Sequence, residues 1–367
     1  MTEAGDSQLS VDRAIADFRR GVPVVLRQAE DTWAVALAAE QATADSLDRL
    51  RQWGGATTVL ALTDSRGRAL HIKPTGHPVI LLPLADNMDI SIVQTLADAT
   101  TDLAQPMRGP FQRARRAPSD AELAAIELAK AARLLPSAVL ATPDGEAAAF
   151  AARQGLLVAA VAAVAAFEDR AAQSLRPVAD APVPLAEAEN SRIVAFRPAD
   201  GGIEHLAIIV GDPDRHHPVL TRLHSECFTG DLLGSLKCDC GQQLRAAVAV
   251  MAGEGAGVLL YLAQEGRGIG LMNKLRAYRL QADGFDTVDA NLRLGFDADE
   301  RVFRPAAEML RHLGFAQVRL LTNNPDKVAG LRACGIEVTE RVAHSFPANA
   351  HNEFYLQTKK DRSGHLL

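Results

Sequence analysis

The sequence predicts an α/β (α+β) protein of two domains, each a mixed sheet with packed helices. Three observations carry this. The chain has 367 residues, 48% of them hydrophobic, enough for a sizeable core and, by length, for two domains. Short apolar runs are interleaved with segments of helical period along the whole length. Arg176–Pro184 holds three prolines in nine residues with no apolar period. That reads as a linker dividing residues 1–182 from 185–367.

In the first part, Val11–Arg20 has helical spacing through Ile15 and Phe18. Pro23–Leu26, Thr57–Leu62 and Val79–Leu84 are apolar runs of strand length. Ala121–Leu135 reads as a helix that Pro136 ends. The most apolar stretch, Gly155–Phe167, has thirteen residues between Arg153 and Glu168. It is too short to span a bilayer and reads as a buried strand and helix segment. In the second part, strands are expected at Ser191–Phe196, His205–Val210, Pro218–His224, Gly257–Leu262 and Val318–Leu321. Helices are expected at Cys240–Gly253, Gly270–Asp283 and Pro325–Cys334, the last closed by Gly335.

Composition narrows the function. A net charge of −6 does not suggest nucleic-acid binding. The one basic run, Arg113–Arg116, reads as a solvated loop. The polar, acidic N-terminus shows no signal peptide, and no membrane segment is visible. A cytoplasmic location is therefore expected. Four cysteines, three of them clustered, fit metal binding in a reducing compartment better than a disulfide framework.

That cluster is the sharpest chemical signal. Cys227, Cys238 and Cys240 lie within fourteen residues, the last two just ahead of a predicted helix whose positive end favours thiolates. Three thiolates bind zinc and leave a tetrahedral position open, the arrangement of a catalytic ion. A closed site with His224 or Cys334 as fourth ligand is one alternative, and buried apolar cysteines are another. Gln264–Gly270 (QEGRGIG) joins a strand to a helix with three glycines and Arg267, a loop suited to phosphate oxygens. Such a loop is often only a tight turn. Thr322–Lys327 (TNNPDK) also runs from strand to helix; taken alone it is an ordinary capped start. Asp297–Arg301 (DADER) alone is a solvated turn, and beside phosphate a source of acid/base chemistry and charge. Together these describe a zinc hydrolase acting on an anionic substrate, with a nucleotide expected, and with water activated near neutral pH.

At these residues the sequence resembles GTP cyclohydrolase II, the family that opens the guanine ring of GTP in the first step of riboflavin biosynthesis. The segments HSECFTGDLLGSLKCDCG, QEGRGIGLMNKLRAYRLQ, GFDADER and LLTNNPDK occur in order between Leu185 and the final Gly-His-Leu-Leu. The resemblance implies one catalytic Zn2+ per chain on Cys227, Cys238 and Cys240, and Mg2+ carried with the triphosphate. It implies GTP contacts at Arg222, Leu223, His224, Ser225, Glu226, Gln243, Glu265, Gly266, Arg267, Thr287, Thr322 and Lys327. Glu226 is the kind of residue that reads guanine N–H donors. It implies that Tyr278 assists ring opening, that Asp299 accepts a proton in the diphosphate-releasing step, and that Arg301 is the proposed nucleophile there. A guanidinium with a pKa above about 12 is a poor nucleophile, so charge stabilisation is the more economical role for Arg301. The implied reaction opens the imidazole ring at C8, expels C8 as formate and releases diphosphate. Relatives lacking the tyrosine stop at the formyl intermediate. The family implies a homodimer.

The N-terminal part resembles 3,4-dihydroxy-2-butanone 4-phosphate synthase at Ala14–Val25, Ala38–Thr43 and Ala121–Val139. That family's acidic stretch is replaced here by Arg27–Ala34 (RQAEDTWA), with Glu30 and Asp31 as its only acids. Its Gly-His-Thr-Glu signature is replaced near Ala117–Ala121. Loss of synthase activity is expected, with a remaining role in assembly or in shaping the active-site entrance.

Overall fold

The computed structural model describes residues 3–29, 31–85, 87–106 and 109–344, together with Arg362. Glu30 and the final Gly-His-Leu-Leu lie outside the described residues. The chain divides into two compact units, Met1–Glu168 with Met272–Asp299, and Asp169–Leu271 with Glu300–Leu367. Each has one mixed sheet with helices packed on it, as the sequence predicts.

The first sheet contains β1 (Val24–Arg27), β2 (Trp33–Ala38), β3 (Val59–Thr63), β4 (Val79–Pro83), β5 (Ser137–Ala141) and β6 (Leu157–Ala160), in the order β4-β3-β5-β2-β1-β6. Only β1 and β6 run parallel. β2, β3 and β5 are buried along their whole length, which two-sided cover requires. One face packs on helices Glu3–Arg19 and Asp120–Ala131 through Val11, Phe18, Ala125 and Leu128. Helix Ala44–Gly54 buries Leu47 and Leu50 and starts at a capping box of Thr43 and Ser46.

The second sheet contains β7 (Arg176–Pro182), β8 (Ser191–Arg197), β9 (His205–Val210), β10 (Val219–Ser225), β11 (Gly257–Leu262), β12 (Gln317–Leu321) and β13 (Glu337–Val342), in the order β13-β12-β10-β11-β9-β8-β7. The run β13-β12-β10-β11 is parallel and the rest antiparallel. Val219, Leu223, Val258, Leu260 and Val318 face helices Arg304–Leu313 and Pro325–Ala333. Leu220, Leu259 and Leu321 face helix Cys240–Glu254 through Ala247, Val248 and Met251.

The stretch expected to be a linker, Arg176–Pro184, is mostly strand β7. It lies at the sheet edge, where one row of backbone groups needs no partner, so prolines are tolerated. Its register shifts between Pro177 and Ala179. Among the described residues, no helix is long and apolar enough to cross a membrane.

Candidate functional site

The connections leaving β10 and β12 go to opposite sides of the sheet: β10 leads to β11, and β12 leads to β13. The carboxyl ends of neighbouring parallel strands with that divergence form the usual ligand crevice of such sheets. The motif residues of the second unit gather there.

Along β10, side chains alternate. Leu220, Arg222 and His224 therefore point to the face covered by helix Cys240–Glu254. Arg222 is buried. Its Nη1 donates to the Leu321 carbonyl at 3.1 Å, and its Nη2 donates to the Gln243 amide oxygen. Burial pulls its pKa down to about 10, so it is still a cation at neutral pH. Lys327 is also buried, and its Nζ donates to the Leu223 carbonyl at 2.6 Å. Two buried cations thus stand between the ends of β10 and β12. Thr322 accepts the Asn324 N–H at 3.0 Å, which tightens the turn into the helix bearing Lys327. Gln243 also donates to Asp239.

His224 is opposite Tyr261 in the β10–β11 register, and their rings stack at 5.6 Å and 18°. Burial lowers the His224 pKa, keeping the ring neutral. Its Nε2 lies 3.1 Å from both oxygens of Asp231. A neutral ring donating there holds its proton on Nε2 and leaves Nδ1 as an acceptor. Asp231 also accepts the Tyr261 hydroxyl at 2.9 Å and the Cys227 backbone N–H at 3.0 Å. Burial, with Asp231 adding to it, raises the Tyr261 pKa, so the phenol stays a donor.

Cys227 follows the end of β10 after one intervening residue, Glu226, and a helical turn over Phe228–Leu232 folds the loop back. Cys240 opens the helix Cys240–Glu254. The three sulfurs lie within 4.8 Å of one another, with Cys227 and Cys238 at 3.7 Å. Tetrahedral ligation at a Zn–S distance of about 2.3 Å puts sulfurs about 3.8 Å apart, so the cradle fits zinc. Hydrogen bonds from Cys227, then burial, raise the Cys238 thiol and push Cys240 well above the ordinary thiol range. A divalent cation among them reverses that preference and deprotonates them. Neither His224 nor Cys334 belongs to the cluster: His224 is held by Asp231, and Cys334 packs against the apolar core. A fourth protein ligand is absent from it among the described residues.

Gly230 sets the closeness of this cradle. A Cβ there would lie 2.7 Å from the Cys238 sulfur and 3.0 Å from that of Cys227. Gly230→Ala is expected to weaken zinc binding by about 10–100-fold, the usual cost of disturbing the support of metal ligands. Competition with a chromogenic chelator checks this.

The glycine loop closes the site from β11. Gly266 and Arg267 both have φ of 65°, and for Arg267 that left-handed conformation is strained. The Arg267 carbonyl accepts the Glu300 N–H at 3.0 Å. Glu265, buried, accepts the Phe228 N–H at 2.7 Å and the Gly266 N–H at 3.1 Å. It ties the glycine loop to the cysteine loop. Glu226 donates its N–H to the Leu262 carbonyl at 2.8 Å, and Ser225 ends β10.

Not every expected residue belongs to this unit. Tyr278, Thr287 and Asp299 belong to the unit of the N-terminal sheet, while Arg301, half-buried, belongs to the second. Tyr278 lies on helix Leu271–Ala282, with the Lys274 ammonium 5.6 Å from its ring centroid. Thr287 opens helix Thr287–Arg293 and accepts from Gln281 at 3.3 Å.

Sequence reasoning missed Asp231, Tyr261, Asn323 and His344. Asn323 donates to the His344 carbonyl at 2.6 Å and accepts its N–H at 2.9 Å. The His344 ring meets the Gln243 carbonyl at 3.0 Å, and burial lowers its pKa to about 4.

The profile of the GTP cyclohydrolase II family matches residues 176–343. A GTP cyclohydrolase-2 from Azospirillum brasilense is 53% identical over 361 residues, 98% of this chain and 94% of that protein. The chain belongs to the GTP cyclohydrolase II family. It is thus an enzyme, in a family whose substrate is GTP. A riboflavin biosynthesis protein RibBA from Parabacteroides distasonis is 34% identical across 98% of this chain and 97% of its own. Likeness therefore runs through the N-terminal half as well. A RibBA from Bacillus cereus is 58% identical over 164 residues, 45% of this chain and 41% of its own. Among solved structures, a two-domain 3,4-dihydroxy-2-butanone 4-phosphate synthase from A. baumannii covers 92% of this chain and 99% of its own, at 17% identity and a TM-score of 0.36.

Proposed function

We propose that the protein hydrolyses GTP with a catalytic zinc ion, releasing formate and diphosphate. The product is 2,5-diamino-6-(5-phosphoribosylamino)pyrimidin-4(3H)-one, at the first step of riboflavin biosynthesis. The observation that carries this is the convergence of three cysteine sulfurs with no fourth protein ligand among the described residues, at a sheet end that also holds two buried cations. A zinc ion held there supplies Lewis acidity and activates water.

The chain's own groups divide the remaining work. Arg222 and Lys327 offer positive charge to the triphosphate, and Mg2+ carried with the triphosphate would add to that neutralisation. Gly266, Arg267 and Thr322 line its approach. Glu226 accepts from the guanine N–H donors, and Leu223, Ser225, Gln243, Glu265 and Thr287 complete the GTP contacts. Asp299 accepts a proton and Arg301 stabilises charge as diphosphate leaves. Tyr278 assists ring opening through to deformylation.

The unit of the N-terminal sheet is, on this reading, without synthase activity, and the working assembly is a homodimer. Arg27 and Trp33 pair across a tight β1–β2 connection, with the Gln28 N–H on the Thr32 carbonyl at 2.9 Å. That leaves Asp31 on a short exposed turn.

The test is incubation of the zinc-loaded full-length protein with GTP and Mg2+, following formate, diphosphate and the pyrimidine together. All three are expected in equal amounts. GTP binding without either small product would overturn the reading. Ribulose 5-phosphate given to the same sample is expected to be left unchanged, and sedimentation reports the dimer.

A further inference from the structure

Met272–Asp299 lies inside the family-matched region 176–343, yet it folds into the compact unit of the N-terminal sheet. It is held there at both ends by specific bonds. At the front, Asn273 donates to the Arg133 carbonyl at 3.1 Å, and Arg276 donates to the Asn273 side-chain oxygen at 2.8 Å. Arg276 also pairs with Glu40 at 2.8 Å and with Asp98 at 3.3 Å. The other oxygen of Glu40 accepts the Leu135 N–H at 2.8 Å, which fixes the carboxylate.

At the rear, the Thr63 hydroxyl donates to the Gly295 carbonyl at 2.8 Å. Arg66, with a side chain 1% exposed, forms a two-pronged pair with Asp102 at 2.6 and 2.9 Å and donates to the Arg293 carbonyl at 3.3 Å. Gly295 has φ of 92°, and a Cβ there would lie 2.9 Å from the Thr63 hydroxyl and 3.0 Å from the Pro136 ring. Only glycine permits that approach. Tyr278 and Thr287 lie between the two clamps, and Asp299 lies just beyond the rear one.

We infer that the N-terminal half is a positioning frame for the cyclohydrolase. Glu40 and Asp98 act through Arg276. Thr63 and Arg66 act at Gly295 and Arg293. Together they set the geometry of the segment that bears Tyr278, Thr287 and Asp299, so the inference rests on the roles proposed for those residues. A buried pair such as Arg66–Asp102 adds little net stability, and its value lies in holding one arrangement. Small displacements of positioned groups are costly to rate.

The test uses full-length, zinc-loaded protein carrying Glu40→Gln with Asp98→Asn. Both changes remove charge and keep an acceptor, for the Leu135 N–H and for the Thr100 N–H that Asp98 takes at 2.9 Å. The expected result is a fall in kcat for formate of about tenfold or more. The formyl intermediate accumulates relative to the deformylated product, while zinc content and melting midpoint stay at wild-type values. Thr63→Val, nearly isosteric, removes the hydroxyl bond of the rear clamp while the Arg66 bond to the Arg293 carbonyl remains, and is expected to shift the same product ratio; it decides the question if the double variant does not fold. Wild-type turnover with an unchanged product ratio and kcat in the variants would overturn the inference alone. A wild-type protein that releases no formate would instead defeat the functional reading beneath it.

Discussion

Cys238→Ser is expected to remove zinc and to lower formate release by at least about a thousandfold. A serine hydroxyl is nearly the size of the thiol but stays protonated at neutral pH, so it does not replace a thiolate. Two sulfurs do not make up the loss, because no other His, Cys, Asp or Glu joins the cluster among the described residues. The fold is expected to survive. The apolar clusters on both faces of the second sheet are built from its strands and helices and take nothing from the loop 228–239. Arg222 and Lys327 keep their carbonyl partners on β10 and β12, so GTP binding should persist. Metal analysis, a thermal melt, GTP binding and formate release on one preparation check all four points. Wild-type formate release by the variant would sink the catalytic assignment of the cluster. Loss of zinc with global unfolding would make the ion structural.

The central strands were legible in the sequence for a physical reason. β11 (GVLLYL), covered by helices on both faces, is a near-continuous apolar run, and β10 (VLTRLHS) and β12 (QVRLL) keep apolar residues such as Val219, Leu220, Leu223, Val318, Leu320 and Leu321 between polar ones. The edges were not legible. β13 buries only Val338 along its length and β7 buries nothing, so neither carries an apolar pattern. In the first unit, β2 and β5 are fully buried but alanine-rich (WAVALA and SAVLA), and alanine says little about strand or helix.

The site was legible where the chemistry is local. Three cysteines in fourteen residues announce themselves, and the helix start that gathers two of them follows directly. Long-range convergence was not. Tyr261 read as one more residue of an apolar strand, and His344 owes its place to Asn323 and Gln243, residues distant in sequence. The assignment of Tyr278, Thr287 and Asp299 to the N-terminal unit was equally hidden, because the motif order suggests that everything after Leu185 folds together.

Asp231→Ala is expected to cost about 3–5 kcal/mol of stability in the second unit, and to weaken zinc binding as well. In sequence Asp231 is an acid in a glycine-bearing loop, the usual profile of a solvated turn. In the structure its side chain is 7% exposed and takes donors from three places: His224 on β10, Tyr261 on β11 and the backbone of Cys227. Alanine leaves a buried imidazole N–H, a half-buried phenol and a backbone N–H without that acceptor, each at a desolvation cost. It also frees the backbone of Cys227, a proposed metal ligand, and lets His224 adopt its other tautomer, which changes the acceptor presented on Nδ1. Zinc affinity is expected to fall by about 10–100-fold, as for other residues that orient ligands. Asp231→Asn retains the shape and one acceptor oxygen but turns an amide donor toward the remaining donors, so it should lie between alanine and wild type. Chemical denaturation, chelator competition and formate release, measured on both variants, check the prediction. Because one carboxylate serves both the histidine and the zinc loop, stability and metal affinity should fall together. Asp231→Ala with unchanged values of both would show that Asp231 supports neither.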